Sequence, residues 1–259
     1  MIKREKVLLF RMLIVASIII AWEILGSSGI MDTRYTSKPS EIIIDLIEFI
    51  KSREFFKHAK ITIYEAISGL LYGTIAGLFI GIILGQFKLL GNIFKPIIDA
   101  LYSVPQLTLA PVYILWFGIG LKSKIFLASL LVFFQVFFAT INAIREMNIG
   151  LVESAILLGA SKSQITKDIV IPTCTPWILV GIRTGIGSSL VGAIIGEYMG
   201  ASAGFGWMIA YATSYFKITR VMTCITILLT IGMLLNSLLN LVERKLLKWN
   251  PAYIRRDEK

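Results

Sequence analysis

Few ionisable side chains interrupt the long apolar runs of this sequence, and those few are its first candidates for chemistry. Four lie within or beside runs that are otherwise uncharged: Glu23, Asp99, Arg183 and Glu197. Because a charge at the centre of a bilayer costs roughly 3 kcal/mol or more, each would have to face protein or water. Two roles are open for Arg183. It could line a pathway for an anion, or it could bind backbone carbonyls or a neighbouring acid as a structural contact. Glu197 suits either an outer gate or an interhelical hydrogen bond.

Two polar residues near Pro105, Tyr102 and Gln106, are further candidates for lining a pathway. Pro105 and Pro111 each remove a backbone hydrogen bond, so we expect both to bend the helix that contains them. A bent helix is tolerated in lipid mainly where protein or a cavity satisfies the freed carbonyls. This segment is therefore expected to face protein or a pathway rather than bulk lipid.

Patterns typical of catalysis are weak in this sequence. Residues 200–204 match the Gly-x-Ser-x-Gly of hydrolases, but that motif needs a strand–turn–helix context and a histidine base. The single histidine, His58, has no defined relation to it. With one histidine and two cysteines we predict no metal site and no cofactor. No Gly-x-x-x-x-Gly-Lys-[Ser/Thr] loop is present to bind ATP phosphates, so we do not expect this chain to be an enzyme.

One polar segment, residues 150–172, is too polar to cross a membrane and too patterned for a slack loop. A first short helix is expected over about 151–158, and Gly159 would end it with a positive φ. A helix–Gly–helix knob of this kind is shaped to enter a groove on another protein. The alternative is a cytoplasmic loop that has no partner. The centre of the knob consists of small residues: Ala155, Gly159 and Ala160.

A second short helix is expected directly after the knob. Ser161 and Gln164 have the spacing of a capping box, in which each side chain satisfies a backbone N–H of the other residue. Pro172 is expected to close this helix, because proline has no N–H to continue the hydrogen-bond ladder.

The elements that position these residues follow from composition. The chain has 259 residues, of which 56% are apolar and only 16% charged, with a mean hydropathy of +0.78. An ordinary soluble domain has roughly 25% charged residues, so a soluble globule and a disordered tail are excluded. The net charge of +10 is spread over short clusters rather than one basic face, which excludes nucleic acid as a partner. We predict an all-α membrane protein in contact with the lipid bilayer.

Six runs are long enough to cross a bilayer, which needs about 20 apolar residues in a helix. They are residues 12–30, 66–87, 100–121, 125–144, 173–196 and 221–242, and we predict a single transmembrane domain over residues 1–259. The first run is longer than the apolar core of a signal peptide, so we expect an uncleaved anchor. Between the first two runs, Ser40 is expected to cap a short amphipathic helix on the outer surface.

The positive charges of the loops predict the orientation of the chain. With the N-terminus inside, fifteen Lys and Arg residues fall in cytoplasmic segments and ten in outer segments. Because cytoplasmic loops carry the positive excess, we predict a multi-pass protein of the cell membrane with both termini in the cytoplasm.

The second predicted span carries a glycine at every fourth position. Small residues mark the ridge by which helices approach each other in lipid. Since four residues exceed one helical turn by about 40°, this ridge winds around the helix and is expected to meet more than one neighbour. We expect it to serve helix packing, or, alternatively, sliding during a conformational cycle. The ridge consists of Gly69, Gly73, Gly77, Gly81 and Gly85.

Residues 150–172 resemble the "EAA" signature of ABC importer permeases, which reads Glu-Ala-Ala, three residues, Gly, nine residues, Ile-x-Leu-Pro. Ser154 and Ile171 replace an alanine and the leucine. Residues 103–125 and 181–206 also resemble the branch of this family that takes up nitrate, taurine and alkanesulfonates. The positions that match the signature are Glu153, Ala155, Gly159, Ile169 and Pro172.

This resemblance implies the transmembrane domain of a type I ABC importer, a homodimer of six-span subunits. Each EAA loop would dock on a cytoplasmic ATPase subunit, with Glu153 and Gly159 as coupling residues. An extracytoplasmic binding protein would deliver a small anionic solute, similar to a sulfonate or nitrate. The alternative is an ion- or proton-coupled secondary carrier, for which Glu23 and the broken third span are the cues.

Overall fold

The computed structural model describes residues 4–29, 32 and 35–249, and this part of the chain is helical almost throughout. A short 3-10 turn, Gln106–Leu109, precedes α5, and a π turn, Thr166–Val170, precedes α9. In chain order the α-helices are α1 (Arg4–Ser27), α2 (Pro39–Lys51), α3 (Arg53–Gln86), α4 (Lys88–Ser103), α5 (Ala110–Phe117), α6 (Leu121–Arg145), α7 (Ile149–Leu157), α8 (Lys162–Ile165), α9 (Ile171–Gly200), α10 (Phe205–Ser214) and α11 (Ile218–Leu246).

Five helical segments in the described part of the chain are long and apolar enough to cross a bilayer: α1, α3, α6, α11 and the stretch Lys162–Gly200 that contains α9. A sixth crossing is formed by Lys88–Ser103 and Gln106–Phe117, which pass the same test together and are bent by 77°. The all-helical, six-span architecture expected from the sequence is therefore present, with one of the spans broken.

The bundle has two distinct ends. α3 and α6 run parallel, because Gly69 faces Ala128 and Gly85 faces Ile144. α9 runs antiparallel to both and brings α7 and α8 to the end where α3 and α6 finish, which we call the α7 end. The opposite end carries α2 and α10, and we call it the α2 end. There Arg220, at the start of α11, forms an ion pair of 2.8 Å with Asp45 of α2.

α6 is the central helix, and the glycine ridge of α3 lies directly on it. A Cβ at Gly73 would meet the Ser129 carbonyl and Val132, and a Cβ at Gly81 would meet Thr140. The nearest atoms to all five ridge glycines belong to α6, so the expectation of more than one neighbour was wrong for these glycines. The reason is that α6 presents a matching row of the same four-residue period, so one helix follows the winding ridge along its length.

A second set of small residues, on α9, packs against the same stretch of α6. Ala128 is approached by Gly69 from α3 and by Gly192 from α9, and its side chain is fully buried. Val132 is likewise approached by Gly73 and Gly185. Because hydrogen atoms replace side chains on both flanks, the three backbones come close enough for dispersion contacts along most of their length.

The bent span breaks where the sequence predicts, at Pro105, but the second proline acts differently. α4 ends at Ser103, and the buried Gln106 amide donates hydrogen bonds of 2.7 and 3.0 Å to the carbonyls of Leu101 and Val104. Pro111 lies in the first turn of α5, where an N–H has no helical partner in any case, so it starts a helix rather than bending one. The expectation of a bend at Pro111 was therefore wrong.

The surface helix α2 is present, but Ser40 is not its N-cap. Lys38 occupies that position, and Ser40 lies inside the first turn. The Ser40 backbone N–H and hydroxyl instead donate to the two carboxylate oxygens of Glu23, at 2.9 and 2.8 Å. The acid near the end of the first span thus caps α2 from a neighbouring helix and ties α1 to the bundle.

Candidate functional site

The polar segment forms an exposed helix–turn–helix at the α7 end. Asn148 caps α7 by accepting a hydrogen bond of 3.0 Å from the Gly150 N–H. Gly159 has φ of +82°, a backbone conformation that L side chains rarely adopt, and it turns the chain from α7 into α8. The capping box predicted for Ser161 and Gln164 is complete, with both side chains bonded to the partner's backbone N–H.

Pro172 does not close the second helix, contrary to expectation. α8 passes through the π turn Thr166–Val170 into α9, so one helical stretch runs from Lys162 to Gly200. A π turn shifts the hydrogen-bond ladder by one residue, and Pro172, which lacks an N–H, is the second residue after this turn. The second helix of the loop is therefore continuous with a membrane span, so that the loop is joined to the bundle by an unbroken helix.

The tip of this loop exposes large apolar side chains. Leu157 and Leu158 have 87% and 89% of their surface exposed, and Ile156 next to them is 56% exposed. Glu153 is exposed one turn before the tip, and Ala155 and Ala160 are half-buried beside the turn. An apolar tip with a small-residue neck is the surface expected for insertion into another protein.

The base of the loop faces Trp249, which lies just past the end of α11. A cleft of about 440 Å³ lies between them, so Ile169 and Pro172 are placed at the junction of the loop with the bundle. The residues that line it are Leu151, Lys167, Asp168, Ile169, Pro172, Thr173 and Trp249.

Glu197 lies at the other end of α9 and is completely buried. One of its carboxylate oxygens accepts a hydrogen bond of 2.7 Å from the Thr62 hydroxyl, and the other accepts one of 2.7 Å from the Gly206 N–H. The interhelical hydrogen bond that was one of two expectations for Glu197 is therefore present, between α9 and α3.

The turn between α9 and α10 is folded tightly onto this carboxylate. Gly204 has φ of +110°, and a Cβ there would collide with the Glu197 side chain. Its N–H donates a 2.9 Å hydrogen bond to Nδ1 of His58. The His58 ring stacks on the Trp207 ring, with the ring centroids 5.4 Å apart. The only histidine of the chain therefore holds a backbone turn.

Two buried charged residues beside Glu197 were missed at the sequence level, Glu65 of α3 and Lys124 of α6. They have 1% and 3% of their surface exposed. Choosing uncharged runs as spans placed both just outside a span, whereas the helices continue past them. A signal was available in α3, because His58, Thr62 and Glu65 follow the i, i+4, i+7 spacing of one helix face. We call His58, Thr62, Glu65, Lys124 and Glu197 the α2-end polar cluster.

Arg183 lies twelve residues into α9 and is bound to α11. Its Nη2 donates to Oδ1 of Asn240 and forms an ion pair with Glu243, both at 2.6 Å. The Glu243 side chain is 7% exposed, whereas 37% of the Arg183 side chain remains accessible. The tie to a neighbouring acid is therefore present, and part of the Arg183 side chain stays exposed.

The other two residues considered for a pathway lie on opposite sides of the break in the bent span. Gln106 is buried, and it also accepts a hydrogen bond of 3.2 Å from the Tyr113 hydroxyl. Tyr102 is half-exposed and packs its ring on Phe134 and Phe138 of α6, with centroids about 5 Å apart. The structure thus separates these candidates from Arg183 and Glu197 rather than gathering all four at one site.

A helical bundle with a broken span and an exposed helix–turn–helix at one end has the architecture of an importer's membrane subunit. The comparison with protein families agrees, because residues 73–248 match the binding-protein-dependent transport system inner membrane component. The chain belongs to this family and is a permease subunit of an ABC importer. It is a multi-pass membrane protein whose family implies partner ATPase and binding-protein components.

Individual relatives indicate which branch of the family this chain resembles. The chain is 37% identical over 242 residues to the aliphatic sulfonates transport permease protein SsuC of Bacillus subtilis, covering 93% of this chain and 88% of the relative. It is 32% identical to SsuC of Escherichia coli, covering 91% and 90%. The taurine transport system permease protein TauC of Escherichia coli is 25% identical, covering 91% and 87%. The chain is thus similar to the sulfonate and taurine branch, as the sequence patterns predict.

A solved structure shares the fold. A chain of the MetNI methionine ABC transporter, in an inward-facing conformation, superimposes with a TM-score of 0.63 at 20% identity. The match covers 82% of this chain and 99% of that one. The fold is therefore that of a type I ABC importer transmembrane domain, and the comparisons favour the permease over a secondary carrier.

Proposed function

We propose that this permease subunit carries a small anionic solute of the sulfonate or nitrate type across the cell membrane. The proposal is supported by the names of the sulfonate and taurine relatives, which cover nearly the whole chain. Uptake of radiolabelled taurine, alkanesulfonates and nitrate into cells that express the complete importer tests it. Competition by sulfonates supports this cargo class, and uptake that responds only to cationic or neutral solutes would exclude it.

The observation that carries the energy-coupling part of the proposal is the exposed loop at the α7 end. We propose that residues 150–172 dock into a groove of a cytoplasmic ATPase subunit. Leu157 and Leu158 have almost no contacts within the chain, and a bare apolar tip of this kind is stabilised only when a partner covers it. The continuous helix Lys162–Gly200 then transmits movement of the ATPase into the bundle.

Each matched loop residue has a distinct role in this proposal. Gly159 permits the turn, Ala155 and Ala160 let a partner approach closely, and the exposed Glu153 makes polar contacts that orient the loop. Ile169 and Pro172 anchor the base of the loop. The docking step itself involves no covalent chemistry, since ATP hydrolysis belongs to the partner.

Co-purification with the ATPase tests the coupling loop. Gly159→Asp strains a backbone with positive φ, and Leu158→Asp places a charge on the apolar tip, so each is expected to abolish ATPase association and uptake. Ser28→Asp adds the same charge at an exposed position of the α2 end and is the matched control. If both loop variants keep association and uptake intact, the loop is not the coupling element.

We propose that the α7 end, with both chain termini, lies in the cytoplasm, and that the α2 end receives a binding protein. Single cysteines test this, because the native Cys174 and Cys224 are buried. Ser28→Cys should react with an impermeant maleimide in intact cells, whereas Lys162→Cys should react only after permeabilisation. The reverse pattern would invert the topology.

We also propose that two copies of this chain form the pathway, and that Arg183 and Tyr102 are the residues with side-chain surface left to meet the solute. Gln106 and Glu197 then position helices around it. Native mass spectrometry of the purified importer should show two identical permease subunits. Detection of two different permease chains in the complex would contradict the proposed homodimer.

A further inference from the structure

Two glutamates share one buried site inside the α2-end polar cluster. Glu197 is 0% and Glu65 is 1% exposed. Thr62, one turn before Glu65 on the same face of α3, donates a hydrogen bond of 2.7 Å to Glu197, so the two carboxyl groups are neighbours in the packed interior. Two adjacent anions in a water-excluded bundle repel strongly, so this arrangement requires a proton or an equal number of cations.

The hydrogen bonds identify Glu197 as the anion of the pair. Thr62 and the Gly206 N–H each donate to a different oxygen of its carboxylate. Donors on both oxygens stabilise a buried negative charge, and each oxygen keeps a second lone pair for a further donor.

Glu65 has the opposite environment. Neither of its oxygens receives a hydrogen bond from any donor of the described residues. An ionised carboxylate without donors is costly to bury, whereas a protonated one supplies an O–H of its own. The carboxylate of Glu197, which Thr62 binds one turn away on α3, is a nearby acceptor for that O–H.

The balance of charge leads to the same assignment. Lys124 of α6 is the cation that acts on both glutamates, and its Nζ donates to the Gly120 carbonyl at 2.9 Å. His58 accepts the Gly204 N–H at Nδ1, so its ring is neutral and adds no positive charge to the cluster. One lysine and one ionised glutamate make the cluster neutral, and a second ionised glutamate would leave it negative.

We propose that Glu65 is a buried proton-binding site, which keeps its proton throughout the transport cycle and uses this O–H to donate a hydrogen bond to the carboxylate of Glu197. The acid–carboxylate pair bridges α3 and α9, and Glu197 in turn holds the Gly204–Gly206 turn. Glu65 is thus a positioning residue that fixes the α2 end of the permease. This role depends neither on the identity of the solute nor on the docking of the α7-end loop.

Infrared spectroscopy of the purified full chain in lipid nanodiscs tests the proton directly. A protonated carboxylic acid has a carbonyl stretch well separated from that of a carboxylate. We expect this band in the wild type, its persistence in mildly alkaline buffer, and its loss in Glu65→Gln. Glu48→Gln removes an exposed glutamate of α2 and should leave the band unchanged.

Thermal stability of the same samples tests the positioning role. Glutamine is neutral and keeps a donor, so Glu65→Gln should unfold at the wild-type temperature, whereas Glu65→Leu lacks the donor and should unfold at a lower temperature. The proposal is overturned if the wild type has no acid band, or if the band survives in Glu65→Gln. It is also overturned if Glu65→Gln lowers the unfolding temperature as far as Glu65→Leu, since Lys124 would then require an ionised partner.

Discussion

The contact between α3 and α6 gives the sharpest stability prediction, because Gly73 leaves no room for a side chain. A Cβ at this position would meet the carbonyl oxygen of Ser129, and it would lie 2.6 Å from Cβ of Val132 and 3.0 Å from the backbone nitrogen of Phe133. Carbon atoms in contact are separated by about 3.5–4.0 Å. Gly73→Ala therefore requires the two helices to separate by about 1 Å, because backbone atoms cannot rotate away.

The expected loss in the free energy of unfolding is the difference between two opposing effects. Overpacking a close contact costs about 1–3 kcal/mol, and replacing glycine by alanine in a helix returns about 0.5–1 kcal/mol. A net loss of about 1–2 kcal/mol corresponds to a fall of about 2–8 °C in the unfolding temperature for a chain of this size. Intrinsic tryptophan fluorescence during heating of the detergent-purified chain measures this shift.

Gly187→Ala is the matched control for this experiment. Gly187 lies in the same kind of helix, in α9, but its Cβ would have no atom within 4 Å. Its substitution should leave the unfolding temperature unchanged or raise it slightly through the helix propensity of alanine. If Gly73→Ala is as stable as Gly187→Ala, the close packing of α3 on α6 is not what holds the bundle together.

The remaining predictions concern polar side chains that hold helices together. Gln106→Leu should lower the unfolding temperature, because two carbonyls at the break of the bent span lose their donor, at a cost of about 1–3 kcal/mol each; unchanged melting would show that the break is stable without it. Glu23→Gln should increase amide hydrogen exchange in the first turn of α2, where the Ser40 N–H is bonded to the carboxylate, and equal exchange would argue against this cap. Arg183→Gln and Glu243→Gln should each lower the free energy of unfolding, and the double variant should lose less than the sum of the two single losses. Additive losses would mean that the 2.6 Å ion pair contributes no coupling energy. Arg183→Gln should also lower anion uptake without affecting assembly, and normal uptake would remove Arg183 from the pathway.

Some local patterns predicted the local structure, whereas those at Ser40, Pro111 and Pro172 did not. Gly159 and the Ser161–Gln164 capping box depend only on residues a few positions apart, so their spacing was enough to place a turn and a helix start. The apolar runs predicted the number of spans for the same reason, since a helix that crosses lipid must satisfy its backbone internally. The family signature added the expected partners of the loop.

Interactions between distant segments could not be predicted from these patterns. Glu65, Lys124 and Glu243 were treated as the charged borders of spans, and the structure shows them buried and facing other helices. Ser40 was expected to cap its own helix, yet it binds Glu23 across a loop. In each case the partner lies far away in sequence, and a single sequence contains no measure of that proximity.

The sequence by itself determined the helical spans, the small-residue ridges and the shape of the exposed loop, because each arises from hydrogen bonds and steric limits within a few turns of chain. The tertiary structure alone decided that the same residues of α6 would meet glycines of both α3 and α9, that the helix would continue through Pro172, and that Glu65 and Glu197 would lie side by side. A buried charge is stable only beside its partners, and those partners are assembled only when α3, α6 and α9 pack together.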